Sequence, residues 1–123
     1  MKVRNFIFAK RNKYNAQTQT VDGIHFHSKG EARYYQQLKI EKRAGLIKDF
    51  ERQVSFELFA YYGKPQTGRL RVEVCRHIVD FLITLSDGSQ EVREFKGFAT
   101  STWDLKRKIF EANYPEIPYK VVR

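Results

Sequence analysis

Three ionisable residues in the second half of the chain have the types and spacing that phosphodiester chemistry needs. Asp80 lies in an apolar segment, and Glu94-Phe95-Lys96 follows it after a glycine-containing turn. Two carboxylates side by side repel each other unless a divalent cation lies between them. Mg²⁺ suits such a pair because it takes oxygen ligands, and a nearby lysine can orient water and offset phosphate charge. We therefore predict Asp80, Glu94 and Lys96 as catalytic residues, with the two acids as metal ligands.

The geometry of this site depends on the turn between the two segments. A two-residue loop places Asp80 opposite Phe95, which leaves Glu94 on the other face of the sheet and removes the site. A three-residue loop over 86–88 places Asp80 opposite Glu94 and puts Gly88 where such a hairpin needs a left-handed residue. The sequence favours the three-residue loop because that register also pairs apolar residues on both faces.

The acid-x-lysine spacing is a weak indication when taken alone. At average composition such a triplet arises about once in a chain of this length. A second triplet, Asp104-Leu105-Lys106, falls in a predicted helix, where residues two apart do not share a face, and we interpret it as capping and solvent charge. The alternative for the first triplet and Asp80 is an exposed cross-strand cluster of ion pairs without chemistry.

The elements that must position these residues are predicted in the order helix, three strands, helix, strand, with a small β ribbon in front. The turn signal at 21–24 predicts the ribbon, and Ser28 with Glu31 has the form of a capping box. A first helix is predicted over about 29–44, with Gly45 as its stop. Glu31 therefore has a structural interpretation as the third residue of that helix.

The rest of the chain predicts the sheet and a second helix. A period of two indicates strands within 46–60, 70–85 and 91–95, and a last strand at 119–122. Thr100 or Ser101 can cap a helix over about 102–113, for which we predict an apolar stripe of Leu105, Ile109 and Ala112.

Length and composition predict one domain over 1–123, with residues 1–20 as a basic N-terminal arm. Of the 123 residues, 41% are hydrophobic and 15% aromatic, which is enough for one core and argues against disorder. The lone Cys75 cannot form an internal disulfide, and neither a leader nor an apolar run of about 18 residues is present. We expect a cytoplasmic protein with no membrane partner.

The charge of the chain is unevenly spread. The net charge is +9, yet residues 1–48 carry a net +8, residues 49–100 a net −1 and residues 101–123 a net +2. A polyanion such as DNA is the expected partner of the basic flanks. Carboxylates in the middle repel phosphate unless a cation lies between them, so the same asymmetry favours a metal site there.

Several motifs occur together and in order. They are Lys13-Tyr14-Asn15-Ala16, Val21-Asp22-Gly23-Ile24 leading into Phe26, Ser28-Lys29-Gly30-Glu31-Ala32, Ile47-Lys48-Asp49, Asp80-Phe81 and Glu94-Phe95-Lys96-Gly97. With them the chain after residue 12 resembles the small phage-encoded endonuclease-like proteins of the PD-(D/E)XK nuclease superfamily, relatives of Holliday-junction resolvases. The usual Pro before the first Asp is Val79 here, and the first twelve residues form an extension.

The resemblance implies a restriction-endonuclease-like α/β fold, an αβββαβ core with a mixed central sheet flanked by helices. It implies that Asp80 and Glu94 bind Mg²⁺, for which Mn²⁺ can substitute, that Lys96 serves the catalytic water, and that Glu31 adds a carboxylate. It also implies a bacteriophage protein of DNA recombination in a bacterial host, acting on branched DNA. Cutting two strands needs two sites, so a homodimer is expected.

Basic residues on both flanks are predicted to contact the DNA backbone. They are Lys10, Arg11, Lys13, Lys29, Lys106, Arg107 and Lys108. The alternatives are a disordered terminus for the arm and a solvated helix face for the run at 106–108. His25 and His27 have no partner at zinc spacing, so we expect them at the surface or facing DNA, and we expect His77 in the core or behind the site.

Two functions follow from these residues. The first is a Mg²⁺-dependent DNA endonuclease, a phosphodiester hydrolase of Holliday-junction-resolvase type. The second is a basic nucleic-acid-binding protein of the same fold that has no catalytic activity. Cleavage of DNA that requires both the metal and Asp80 would support the endonuclease over the binding protein.

Overall fold

The computed structural model of the chain describes residues 17–64, 68 and 70–123. The arm residues Lys10, Arg11 and Lys13 lie outside these described residues. The chain divides into two compact units, Met1–Lys39 and Ile40–Arg123. The prediction of a single domain over 1–123 stays a prediction.

The first unit contains the predicted β ribbon. Strands β1 (Gln19–Val21) and β2 (Ile24–Phe26) pair antiparallel. The two residues between them, Asp22 and Gly23, have φ values of 54° and 76°, as a tight two-residue hairpin turn requires. The ribbon predicted from the turn signal is confirmed.

Helix α1 (Lys29–Arg43) begins in the first unit and continues into the second. The Ser28 hydroxyl accepts the backbone N–H of Glu31 at 3.1 Å, which is the first hydrogen bond of the predicted capping box. Gly45 ends the helix in a left-handed conformation, φ 79°. The helix ends one residue earlier than predicted.

The second unit is built on a four-stranded mixed sheet. Its strands are β3 (Asp49–Tyr62), β4 (Leu70–Thr84), β5 (Gln90–Phe95) and β6 (Tyr119–Val122). They lie in the order β3-β4-β5-β6, with antiparallel pairs except for the parallel pair of β5 and β6. The α/β class, the mixed sheet and the order helix, three strands, helix, strand are as predicted.

The β4–β5 hairpin has the three-residue loop that the candidate site requires. Phe81 lies opposite Arg93 and Thr84 opposite Gln90, and the Leu85 N–H donates to the Ser89 carbonyl at 2.8 Å. Gly88 has φ 89°, the left-handed value expected at the end of such a loop. The predicted register is confirmed.

Helix α2 (Ser101–Asn113) crosses between β5 and β6 and is capped by the Thr100 hydroxyl, which accepts the N–H of Trp103. Of its predicted apolar stripe, Ile109 packs against the core as predicted, but Leu105 and Ala112 do not. Leu105 is 59% exposed and Ala112 is exposed, whereas Phe110 is fully buried. The helix is rotated so that its aromatic residues, which bury the most apolar area, face the sheet.

The core of the second unit lies between α2 and the sheet. It consists of Leu58, Val79, Leu82, Val92, Phe110 and Ile117. Leu82 and Val92 are cross-strand partners in this core, so α2 covers the sheet face that also bears Asp80 and Glu94. Within the described part of the chain, neither helix is long and apolar enough to cross a membrane.

Candidate active site

Asp80 and Glu94 lie at the end of the β4–β5 pairing. There, hydrogen bonds from backbone to side chain replace those between the two backbones. The register places the two residues opposite each other. Glu94 Oε1 accepts the backbone N–H of Asp80 at 3.3 Å, and Asp80 Oδ2 accepts the backbone N–H of Phe95 at 3.0 Å. Each carboxyl group is therefore held against the opposite strand, and the two are fixed side by side.

Burial makes it costly for both acids to ionise. Glu94 is only 3% exposed. Burial, and then the negative charge of Asp80, raises the pKa of Glu94 to about 8. Burial also raises the pKa of Asp80, against the opposing effect of hydrogen bonds and of the Lys96 charge. The pair of acids therefore keeps a proton to a higher pH than isolated carboxyl groups do, and the two groups titrate together.

A divalent cation is the ligand that this donor set fits best. Two desolvated carboxylates lose their mutual repulsion only through a proton or a cation. Mg²⁺ commonly takes one or two carboxylates and fills its other positions with water and phosphate oxygens. Within residues 17–64, 68 and 70–123, no group of three or more His, Cys, Asp or Glu side chains could hold a metal. Asp80 and Glu94 are the two side chains at this site whose oxygens could hold such a cation.

Gln53 faces Asp80 from β3 in an unusual backbone conformation. The β3–β4 pairing keeps its register on both sides of Gln53, which places it opposite Asp80. Its φ of 52° is left-handed, a conformation that costs a non-glycine residue about 1 kcal/mol or more. Its amide Nε2 donates to Asp80 Oδ1 at 3.4 Å. Backbone strain and a carboxylate contact thus occur at one position.

A cavity of about 480 Å³ is lined by the two acids, by Lys96 and by residues of α2. Lys96 directly follows β5, and its backbone N–H donates to the Val122 carbonyl of β6 at 3.1 Å. Its ammonium group lies 5.2 Å from the ring centroid of Trp103, a cation–π contact. The cavity is lined by Gln53, Ser55, Arg76, His77, Ile78, Asp80, Glu94, Lys96, Thr100, Thr102, Trp103 and Lys106.

A chain of hydrogen bonds lies behind Glu94. The Tyr119 hydroxyl donates to Glu94 Oε1 at 2.9 Å and lies 2.8 Å from His77 Nε2. Burial, with the charges of Lys106 and Lys96, lowers the pKa of His77 to about 4, so its ring is neutral at pH 7. Burial and the charge of Glu94 raise the pKa of Tyr119, which keeps its proton. The expected buried position of His77 is confirmed, since it is 3% exposed.

Of the three consecutive cations on α2, only Lys106 lines this cavity. Its Nζ donates to the Arg76 carbonyl at 3.0 Å. Arg107 pairs with Asp104 at 2.8 Å, and Lys108 pairs with the same carboxylate at 3.2 Å. Asp104 therefore acts as a helix-surface charge, as predicted, and Lys108 borders a separate apolar groove.

Four further candidates belong to the first compact unit. Glu31 is 8% exposed and Lys29 is exposed. His25 and His27 are also exposed and meet edge to face with ring centroids 6.1 Å apart, in agreement with the predicted surface position. The metal-binding role of Glu31 and the phosphate contact of Lys29 stay predictions.

The family of the chain follows from comparison with known proteins. Residues 11–123 match the family described as "Protein of unknown function (DUF1064)". The chain belongs to the DUF1064 family. No curated protein and no solved structure matches it. The matched residues of this DUF1064 chain include the whole candidate site on β3–β6 and α2.

Two members of the site in this DUF1064 chain carry no local sequence signal. Tyr119 reaches Glu94 through the parallel pairing of β5 and β6, which a helical crossover separates in sequence. Gln53 lies in a regular period-two segment, and its residue type does not indicate a left-handed φ. The sequence position of Trp103 does not distinguish a core residue from a site residue, and the structure places it in the lining of the cavity.

Proposed function

We propose that this DUF1064 protein is a Mg²⁺-dependent endonuclease that hydrolyses phosphodiester bonds in DNA. The observation that carries the proposal is the buried Glu94 beside the half-buried Asp80, at a cavity that Lys96 and Lys106 also line. A solvent-exposed cluster of ion pairs does not account for a carboxyl group that is 3% exposed and beside a second carboxyl. Burying such groups costs free energy that a structural role does not require.

Each residue of the site has a role in this proposal. Asp80 and Glu94 hold Mg²⁺, and the further carboxylate that the resemblance implies at Glu31 stays a prediction. When bound, Mg²⁺ supplies positive charge that polarises a phosphoryl oxygen and acidifies water. The Lys96 ammonium orients the attacking water and stabilises charge on the phosphate, and Lys106 binds a neighbouring phosphate.

The substrate proposed is branched DNA, and the assembly proposed is a homodimer. The order of α1, β3, β4, β5, α2 and β6 and the positions of the two acids support the resemblance to the PD-(D/E)XK nucleases. The basic segments at 1–48 and 101–123 favour DNA as the partner. The proposal includes the DNA contacts predicted from the sequence for Lys10, Arg11, Lys13 and Lys29.

A cleavage assay tests the proposal. The protein is incubated with a labelled four-way junction, a flap and a linear duplex of the same arm sequences, in Mg²⁺, in Mn²⁺ and in EDTA. Denaturing gels are expected to show cleavage with either metal, strongest on the branched substrates, and none in EDTA. Asp80→Ala and Lys96→Ala are each expected to lower the rate by about 100-fold or more, because each removes charge stabilisation from the transition state.

The second acid-x-lysine triplet provides matched controls. Asp104→Ala removes the same residue type as Asp80→Ala, and Lys106→Ala the same type as Lys96→Ala, and of these two control positions only Lys106 lines the cavity. Asp104→Ala is expected to keep the rate of the unmodified protein. Metal-independent DNA binding without cleavage, unchanged in Asp80→Ala and Lys96→Ala, would contradict the enzyme and support the catalytically silent binding protein.

A further inference from the structure

The hydroxyl of Tyr119 connects Glu94 to a buried histidine on another strand. It lies 2.9 Å from Glu94 Oε1 and 2.8 Å from His77 Nε2. A tyrosine hydroxyl has one proton to donate and can accept another. With that proton donated to Glu94, a His77 ring that carries its own proton on Nε2 completes the chain by donating to the tyrosine oxygen. The three side chains, from β4, β5 and β6, therefore form one directed chain that ends on the carboxylate.

The core fixes the position of this hydroxyl. The Tyr119 ring stacks on the His77 ring with centroids 5.9 Å apart, and it meets the Phe110 ring edge to face at 5.3 Å. The Tyr119 backbone is paired with Val92 in the parallel β5–β6 register. These contacts to the ring and the backbone restrict the positions that the hydroxyl can take beside Glu94.

Two donors converge on the same oxygen of Glu94. Oε1 accepts the Tyr119 hydroxyl and, at 3.3 Å, the backbone N–H of Asp80. These two contacts hold Oε1 in place and so restrict rotation of the carboxylate. Partners that orient a ligating carboxylate in this way commonly govern the affinity of the site for its metal.

We propose that Tyr119 and His77 are positioning residues that orient Glu94 for divalent-cation binding, an inference that rests on the proposed function. Tyr119 acts on Glu94 directly, and His77 acts through Tyr119 by supplying the hydrogen bond that directs the hydroxyl proton to the carboxylate. Neither side chain needs to touch the DNA or the cation.

Binding of Mn²⁺ alone, without DNA, tests the proposal. Free Mn²⁺ is titrated by electron paramagnetic resonance in the presence of the full chain and its variants. Tyr119→Phe keeps the ring and removes the hydroxyl, and it is expected to weaken Mn²⁺ binding by roughly 10-fold or more. His77→Leu removes the donor and is expected to weaken binding in the same direction. His77→Gln, whose Nε2 can donate as the imidazole does, is expected to restore most of the affinity.

Tyr114→Phe is the matched control. The Tyr114 hydroxyl donates to the Glu57 carbonyl at 2.8 Å, and its ring packs against Phe110 at 5.0 Å, so this variant also loses one hydrogen bond of a half-buried tyrosine. It is expected to match Tyr119→Phe in thermal unfolding temperature to within a few degrees and to bind Mn²⁺ as the unmodified protein does.

The outcomes separate this proposal from the proposed function. If Glu94→Gln abolishes Mn²⁺ binding but Tyr119→Phe binds as tightly as Tyr114→Phe, the positioning role is overturned and the endonuclease proposal stands. If the unmodified protein and Glu94→Gln bind Mn²⁺ equally, or neither binds it, both proposals are overturned. Should Tyr119→Phe fail to fold, the comparison of His77→Leu with His77→Gln decides: equal affinities overturn the positioning role.

Discussion

At the scale of single residues, two glutamates on β5 show what distinguishes a structural carboxylate from a functional one. Glu91 and Glu94 are each 3% exposed. Burial raises the pKa of Glu91, but Arg93 at 2.7 Å and Lys120 at 3.1 Å outweigh it, and the pKa is lowered overall. Glu94 has Asp80 beside it, and its pKa is raised. The charge of Glu91 is already balanced by two cations of the protein. The charge of Glu94 is not balanced in this way, so this glutamate is the one that can bind an added cation.

The stability of the metal-free protein is expected to fall as pH rises from about 4.5 to about 8. The pKa of Glu94 increases on folding from 4.5 to about 8, so the folded state binds more protons in this range and loses stability as they dissociate. Mg²⁺ is expected to raise the unfolding temperature at pH 8.5 more than at pH 5.5, because the ionised pair binds it. Thermal unfolding in EDTA and in Mg²⁺ at both pH values measures this.

Glu94→Gln and Glu91→Gln are the controls for that profile. Glu94→Gln removes the group with the raised pKa, so it is expected to flatten the decline and remove the Mg²⁺ effect. Glu91→Gln leaves Arg93 without one of its carboxylates, so it is expected to lower stability and keep the Mg²⁺ effect. A Mg²⁺ shift that is the same at both pH values would contradict the assignment of the cation to this pair.

At the scale of secondary structure, one strand conformation is tied to the site. Gln53 is held with φ 52° opposite Asp80, in the interior of β3. Glycine adopts this conformation without steric cost. Gln53→Gly is therefore expected to leave the free energy of unfolding unchanged or raise it by up to about 1 kcal/mol, while cleavage decreases because the amide donor to Asp80 is lost. Urea denaturation measures the first effect.

Glu51→Gly is the matched control for Gln53→Gly. Glu51 is exposed, lies two residues earlier on β3 and pairs regularly with Leu82. Glycine at an ordinary strand position is expected to lower stability by about 0.5–1 kcal/mol. Equal losses in the two variants would show that the backbone at Gln53 stores no strain.

The secondary-structure elements and the pairing of Asp80 with Glu94 are predictable from the sequence. The residues that contact these two acids from other strands are not. The register that joins Asp80 to Glu94 follows from local chemistry, because Gly88 supplies the left-handed residue of a three-residue loop. The apolar spacing predicts a stripe on α2 through Leu105, whereas packing against the sheet buries Phe110 and leaves Leu105 exposed. The φ of Gln53 and the approach of Tyr119 to Glu94 depend on tertiary contacts between distant strands, which no local pattern encodes.

At the scale of the whole molecule, the charge distribution separates binding from chemistry. The net +9 of the chain lies in its terminal segments, and the near-neutral middle holds Asp80 and Glu94. Positive segments attract DNA through the release of counterions, so their contribution depends on salt. The acids of the middle segment repel phosphate unless a cation is bound, so their contribution depends on metal.

DNA binding in EDTA is expected to weaken with salt, and Lys106 is expected to contribute to that dependence. Lys106 lines the cavity, whereas Lys108 is 66% exposed and paired with Asp104. The slope of log affinity against log salt should become shallower by about 1 in Lys106→Ala, the value expected for the loss of one phosphate contact. Lys108→Ala should change the slope less. Fluorescence anisotropy with a four-way junction measures both slopes. Equal slopes for the two variants would place the DNA path away from the cavity.

The most direct test of the account is a double-mutant cycle on the cleavage rate at saturating Mg²⁺. Two carboxylates that hold one cation act as a unit, so their losses are not additive. Asp80→Asn and Glu94→Gln are each expected to abolish junction cleavage to about the level of the double variant, while Asp104→Asn cleaves normally. Cleavage by either single variant at the rate of the unmodified protein would contradict the assignment of the active site to this pair.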